Sequence, residues 1–572
     1  MTFLTQYGGA ARYASRFLFQ FFAVSGAGAM VVTCVAIALF LLTRAYLKTV
    51  SDIRIVVLQL LPSVLFLLLY NRYATYLTSV LGVLAALSGA ILYAKMSTKK
   101  MWLRLIVFVI LGGVVYYLAA SAYLLYVVLG VLFELLNRRR ILSACCLLGG
   151  AVVPYVLGYW VFQTSLADSY LCFLPVWHLL PINGEMILEL PIRSNIMDGL
   201  YLFFPIVYLG DALWKRLTKK PAAEKTDAAP SHTSTQRVCR STLKWVFDSP
   251  VFVIVVAVLM YFSFNNTKNT LLRLDYCARQ KMWPRVLELA DDLKPEHLSF
   301  EASCDIYRAL YYTGRLPYEM FSYPPSLPAI QLRLVNKLQS EVIATGMQMK
   351  ASDILLELGL VNAAEHLAGR SLQVAGTEPD ILWRLAMVNI IKGKPEAARM
   401  YLNTLAKDVV HGEAAKEVLA NLYADPSLSN SDEVRRTRAL MLTDDYVQDL
   451  FWGQEMEHLL KKNPRNRMAF EYQMAYYLLT GQLENVVLNI KYLNDFGYPN
   501  IPRHYEEAIL LYGMTTGKDV QTYVQRMDTT TILRFRRFFE YLQDKKVPVK
   551  GFEDTYFLYF FLYCNPDNET AK

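Results

Sequence analysis

The sequence predicts an all-α protein in two parts: an N-terminal eight-helix transmembrane bundle over residues 1–264, then a soluble α-solenoid of helical repeats over 265–572. Three observations carry this. The 572 residues are 54% hydrophobic with a mean hydropathy of +0.26, too apolar for one soluble domain of that length. Long charge-free apolar runs fill the first part. From Lys268 onward apolar residues recur three and four apart, without the alternation of a strand.

The apolar runs lie at about 17–43, 55–70, 76–94, 105–136, 141–162, 199–213 and 249–264. Each approaches the ~20 residues that a helix needs to cross about 30 Å of hydrocarbon. Arg12 and Arg16 precede the first run, which has no small-x-small cleavage site, so it reads as a retained anchor. The run from Leu105 to Leu136 is one long helix or two crossings that turn near Ala119–Ala122.

Charge chooses between them. Up to Phe264 there are 22 Lys and Arg against 10 Asp and Glu; from Asn265 there are 36 against 39. The basic excess therefore sits in loops between apolar runs, which is a topology signal and not a nucleic-acid footprint. With eight crossings the loops at 44–54, 95–104, 137–140 and 214–244 share one side and hold 18 of the 22 basic residues. Seven crossings reduce the best split to 14 against 8. Eight crossings with the N-terminus outside follow, with the polar linker 214–244 cytosolic and the chain after Phe264 outside.

The membrane part shows ionisable residues at segment ends, among them Glu134, Asp211 and Asp248, and none at mid-membrane where ion coupling would need one. "GAGA" (Gly26–Ala29) and Gly112, Gly113, Gly149 and Gly150 lie inside apolar runs and read as close helix packing. The outward loop 163–197 holds Asp168, His178, Glu185, Glu189 and Arg193 beside Trp177. Two readings of it stay open: a loop on the bilayer surface, or the site of an envelope-polysaccharide enzyme, a lipid-linked glycosyltransferase or ligase. In the second, Asp168, His178 and Arg193 would supply a base and an anion clamp.

In the tail, Gly314, Gly359, Gly393, Gly481 and Gly517 each follow an apolar helix end and precede another helix. Gly359 and Gly393 are 34 residues apart, Gly481 and Gly517 36. Ala364, Ala398 and Val486 stand five places after three of these glycines, where a second helix would approach the first. With Leu385 and Ala386 in a first helix, this pattern resembles the tetratricopeptide-repeat (TPR) family over 345–407 and, more loosely, 464–495. The resemblance implies a TPR-like stack whose first helices line a groove, offering Asp353, Glu357, Asp380, Trp383 and Met387 as binding residues.

The order of multi-pass part, "ALYYTGRLPYEMFSYPP", "RLAMVNIIKGKPEAARMYLNTLAK" and "DTYFLYFFLYC" resembles an uncharacterised family of Bacteroidota membrane proteins with helical-repeat tails. The resemblance implies a Gram-negative inner membrane, which makes the outside the periplasm. It carries no catalytic residues.

Other patterns are quieter. Eight cysteines lack paired CxxC spacing and read as buried thiols, with a Cys277–Cys304 disulfide as the alternative. The tail histidines show no HxxxH or HExxH, so no metal or cofactor is expected. "LRFRRFFEYL" (Leu533–Leu542) reads as an amphipathic helix, and "TYFLYFFLY" (Thr555–Tyr563) as a closing helix covering an apolar end. The expected function is that of a membrane-anchored periplasmic scaffold. Its partners are membrane lipid and a periplasmic protein or peptide, with no nucleic acid; the enzyme reading of loop 163–197 stands beside it.

Overall fold

The computed structural model describes residues 7–24, 26–51, 55–72, 77–96, 100–171, 195–218, 250–332, 341–442, 452–543 and 550–564. These residues form 28 α-helices and no strand. The chain divides into two compact units, Met1–Asn265 and Asn266–Lys572.

The first unit contains α1 (Gly9–Gln20), α2 (Ala27–Val50), α3 (Val56–Asn71), α4 (Leu77–Ala94), α5 (Met101–Ala119), α6 (Tyr123–Leu136), α7 (Arg140–Pro154), α8 (Leu166–Leu171), α9 (Asn195–Thr218) and α10 (Pro250–Ser263). Five are long and apolar enough to cross a membrane: α2, α4, α5, α7 with its continuation to Val161, and Ile196–Leu217 of α9. The expected eight are not all of that length. α3 has 16 residues and α6 and α10 have 14 each, so they span about 21 to 24 Å.

Two expected runs are cut by the backbone. The run 17–43 breaks at a 3-10 turn, Phe21–Ala23, and at Gly26, whose φ of 82° is left-handed, leaving α1 as a separate amphipathic helix. The run 105–136 breaks at Ala120–Ala122, with Ala120 at φ 49°. α5 and α6 then lie antiparallel: Phe108 stacks on Tyr126 at 5.0 Å, and Tyr116 meets Tyr123 edge-on at 5.8 Å. Small residues let the helices approach. A Cβ on Gly112 would come within 2.9 Å of Tyr123, and one on Gly150 within 2.6 Å of Val127.

The helix ends gather in two groups. At one, the Gly8 N–H donates to the Tyr117 carbonyl (2.9 Å), Tyr7 stacks on Tyr116, and the Tyr116 hydroxyl donates to the Ser169 carbonyl (2.9 Å). Phe22 stacks on Tyr70, and the adjacent Asn71 amide donates to the Ser263 hydroxyl (2.7 Å). At the other, Tyr93, Arg104, Glu134 and Arg139 converge.

The second unit begins with helical hairpins: α11 (Asn266–Arg279) with α12 (Trp283–Asp291), and α13 (Phe300–Tyr312) with α14 (Leu316–Glu319). After α15 (Leu327–Gln331) come α16 (Glu341–Leu358) with α17 (Val361–Ala375), and α18 (Pro379–Ile391) with α19 (Pro395–Leu405). Gly314, Gly359, Gly393 and Gly481 all have left-handed φ, between 68° and 92°. After each glycine the next N–H reaches back five residues: Arg315 to Leu310, Leu360 to Leu355, Lys394 to Asn389 and Gln482 to Tyr477, at 2.7 to 2.9 Å. This is a Schellman stop, which satisfies carbonyls that the helix end leaves open. Lys281 holds the same slot at φ 57°, with Met282 N–H donating to Cys277. It lies 33 residues before Gly314, a copy hidden from a search for glycine. Val286, Ala364, Ala398 and Val486, five residues after four of these turns, are fully buried.

The tail also folds back on itself. The Arg438 guanidinium donates to the Ile390 and Ile391 carbonyls, the Asn466 amide to the Leu358 carbonyl (2.9 Å), and Phe321 packs against His504 and Tyr556. These contacts exceed the nearest-neighbour set of an open repeat stack. Tyr556, Phe557, Leu558 and Phe560 are buried in the same core as Leu274, and the Tyr556 N–H donates to the Glu507 carboxylate at 2.7 Å. Cys277 and Cys304 are buried free thiols.

Candidate functional site

Four first helices, α11, α13, α16 and α18, carry oppositely charged residues three or four apart: Asp275/Arg279, Asp305/Arg308, Lys350/Asp353/Glu357 and Asp380/Arg384. On a helix this spacing places the charges on one face. The structure joins them into one network. Lys350 Nζ lies 2.7 Å from both Asp275 and Asp305. Arg308 binds Glu357 at 2.6 Å, Asp305 at 3.4 Å and Asp353 at 3.8 Å, with its guanidinium 5.1 Å over the Trp283 ring. Arg384 pairs with Asp353, and Arg279 with Asp380 and Asp275.

The network runs from core to surface. Asp305, Arg308 and Lys350 are buried, whereas the side chains of Arg279 and Asp380 are 52% and 53% exposed. At Asp275, Asp353, Asp305 and Lys350 burial opposes ionisation and the charged partners favour it. Lys350 and Arg279 outweigh burial at Asp275 and hold that carboxyl below the usual range. Arg384 and Arg308 do the same for Asp353. At Asp305 burial prevails and the carboxyl is pushed up, despite Lys350 and Arg308. Lys350 itself is pushed up, because Asp305 and Asp275 outweigh its burial. Five carboxylates thus meet four cations, and the group holds helices in place more than it offers a base to a substrate.

Of the residues expected to bind, Asp353, Glu357 and Asp380 belong to this network. Trp383 and Met387 are partly buried against the core of the same unit. Sequence reasoning passed over Asp275, Arg279, Asp305, Arg308, Lys350 and Arg384, although their helical spacing was a readable signal. The other candidate group is not assembled among the described residues. Ser165 donates to the Asp168 carboxylate (2.6 Å) and accepts from its N–H (3.0 Å), a capping pair at the start of α8. His178 and Arg193 lie outside the described residues. No three His, Cys, Asp or Glu side chains among the described residues are placed to hold a metal ion.

A model of the family of unknown function DUF6057 matches residues 1–563. The chain belongs to DUF6057. The match runs through both compact units. No curated protein and no solved structure matches the chain.

Proposed function

We propose that the protein is a membrane-anchored scaffold whose TPR-like tail binds a protein or peptide segment on the face made by α11, α13, α16 and α18. The observation that carries the reading is the ionic network, which ties four successive first helices into one pre-arranged face and ends at an accessible edge, Arg279 and Asp380. A face that needs no reordering on binding loses less entropy when a partner docks. Trp383 and Met387, partly buried beside that edge, are the apolar anchors of the reading.

The placement belongs to the same proposal: eight crossings, N-terminus outside, tail in the periplasm of a Gram-negative inner membrane. The 18-to-4 charge split supports it. So does the grouping of ends, because Arg104 and Arg139 meet on Glu134, as the eight-crossing reading requires of loops 95–104 and 137–140.

A photo-crosslinking side chain placed at 380 in the full-length protein, irradiated in native membranes, should give one discrete adduct. The adduct should vanish with Trp383→Ala in a protein that remains folded. The same adduct from position 396, an 80% exposed site on a second helix, or none from 380, would sink the reading.

A further inference from the structure

We infer that the end of the α5–α6 hairpin is a binding surface for the headgroup of an anionic phospholipid. The inference rests on the membrane placement of the first unit, and is independent of what the tail binds. Arg104 organises the surface. Its guanidinium donates to the Met96 carbonyl (3.0 Å) and to the Glu134 carboxylate (2.6 Å), and Glu134 also takes Arg139 at 3.3 Å. The end of α4, the start of α5 and the α6–α7 turn are thereby drawn to one spot. They bring Lys95, Lys100, Arg138, Arg139 and Arg140, all exposed, around a single acid that is itself buried and already neutralised by Arg104. Lys95, Lys100, Arg138 and Arg140 have no carboxylate partner among the described residues. An uncompensated basic group of this size at a helix end fits an anionic headgroup. The apolar side chains beside it, Met101, Trp102 and Ile141, are exposed as well, which suits the acyl and interfacial layer below such a headgroup.

Arg138 occupies the left-handed slot of a helix stop, φ 61°, with the Arg139 N–H donating to the Glu134 carbonyl (2.9 Å). In the tail four of the equivalent slots are filled by glycine. Glycine adopts this conformation without strain, and an arginine does not. The backbone alone would favour glycine at 138; a long basic side chain fills the same slot at Lys281, and at 138 it is exposed beside Arg139 and Arg140.

The experiment uses full-length protein in an uncharged detergent, with melting followed as phosphatidylglycerol or phosphatidylcholine is titrated. The wild type should be stabilised by phosphatidylglycerol at concentrations where phosphatidylcholine has no effect. Arg138→Gly should melt as high as the wild type or higher without lipid, because strain is relieved. Combined with Arg140→Gln, it should raise the phosphatidylglycerol concentration for half-maximal stabilisation by roughly tenfold or more. Equal response to the two lipids would overturn the inference. So would an undiminished phosphatidylglycerol response in the double variant, or the same stabilisation from inorganic phosphate alone. Failure of the membrane placement is separable, since that would show as a protein stable in buffer without detergent.

Discussion

The Arg104 guanidinium lies 2.6 Å from the Glu134 carboxylate, with both side chains buried and the Tyr93 hydroxyl donating to the same carboxylate oxygen at 2.9 Å. Thirty residues separate the pair in sequence, and the reversal at Ala120–Ala122 brings them level. A paired, hydrogen-bonded charge is tolerated in such a place, whereas a lone one is not. Glu134→Gln should therefore lower stability by about 3–5 kcal/mol in detergent, while Arg104→Met with Glu134→Met should be neutral or stabilising. Melting temperatures of the three proteins decide this. A mild Glu134→Gln with an equally mild double variant would refute the clasp.

The turn glycines differ in what surrounds them. A Cβ at Gly359 would lie 2.4 Å from the Leu440 carbonyl oxygen, and one at Gly393 would meet nothing within 4 Å. Gly393→Ala should cost about 1–2 kcal/mol from left-handed strain alone. Gly359→Ala should cost about 1–3 kcal/mol more, because the returning segment must move. Thermal unfolding of the two variants side by side would show the gap, and equal losses would mean that residues 440–442 do not press on this turn.

Arg308 serves Glu357, Asp353 and Asp305 at once. Among the described residues, Arg308→Met leaves Glu357 without a cation and takes one of two from Asp305 and Asp353, and should destabilise by about 3–5 kcal/mol. Asp380→Asn, at the exposed end of the same network, should change stability by about 0–1 kcal/mol. Chemical denaturation curves provide the comparison; similar losses at both sites would mean that depth plays no part.

Acid should loosen the closing segment. Burial raises the Asp554 carboxyl, but Arg534 and Arg503 outweigh it and bring it to about 2. Because this lies below the unfolded value near ~4, the contribution is fully present above about pH 4 and is lost as pH falls through about 2. The stability difference between wild type and Asp554→Asn should be constant at neutral pH and shrink across that window. A difference that grows on acidification would contradict the sign.

Topology can be read directly. A reporter active only in the periplasm should give signal when fused after Lys572 and none when inserted within 222–235. The reverse pattern would end the orientation and the binding proposal with it.

How much was legible follows from what each signal measures. Hydropathy marks apolar runs, but it does not register a reversal made of small apolar residues, so the cut at Ala120–Ala122 had to be settled by counting charge. Hydropathy also passed over the kink at Gly26, which isolates α1. The glycine rhythm located Gly359 and Gly393, and Ala364 and Ala398 are fully buried as close packing demands. Lys281 takes the same turn without the marker residue, so the first hairpin was missed. The ionic network was written in the i,i+3 and i,i+4 charges of four helices. Which helices face each other, however, depends on packing between residues far apart in sequence, such as Asp275 and Lys350.

The closing segment alters the order in which this tail can be completed. Phe321 finds His504, Tyr556 and Tyr559 as neighbours, so a surface made early in synthesis stays uncovered until some 230 further residues have been delivered. An open array of repeats can fold hairpin by hairpin as it emerges. This chain must hold its first hairpins unfinished and then seal them with its last helices, which raises its contact order and slows the final step. On the same grounds the sealed tail should unfold all at once, with no fraying from its ends.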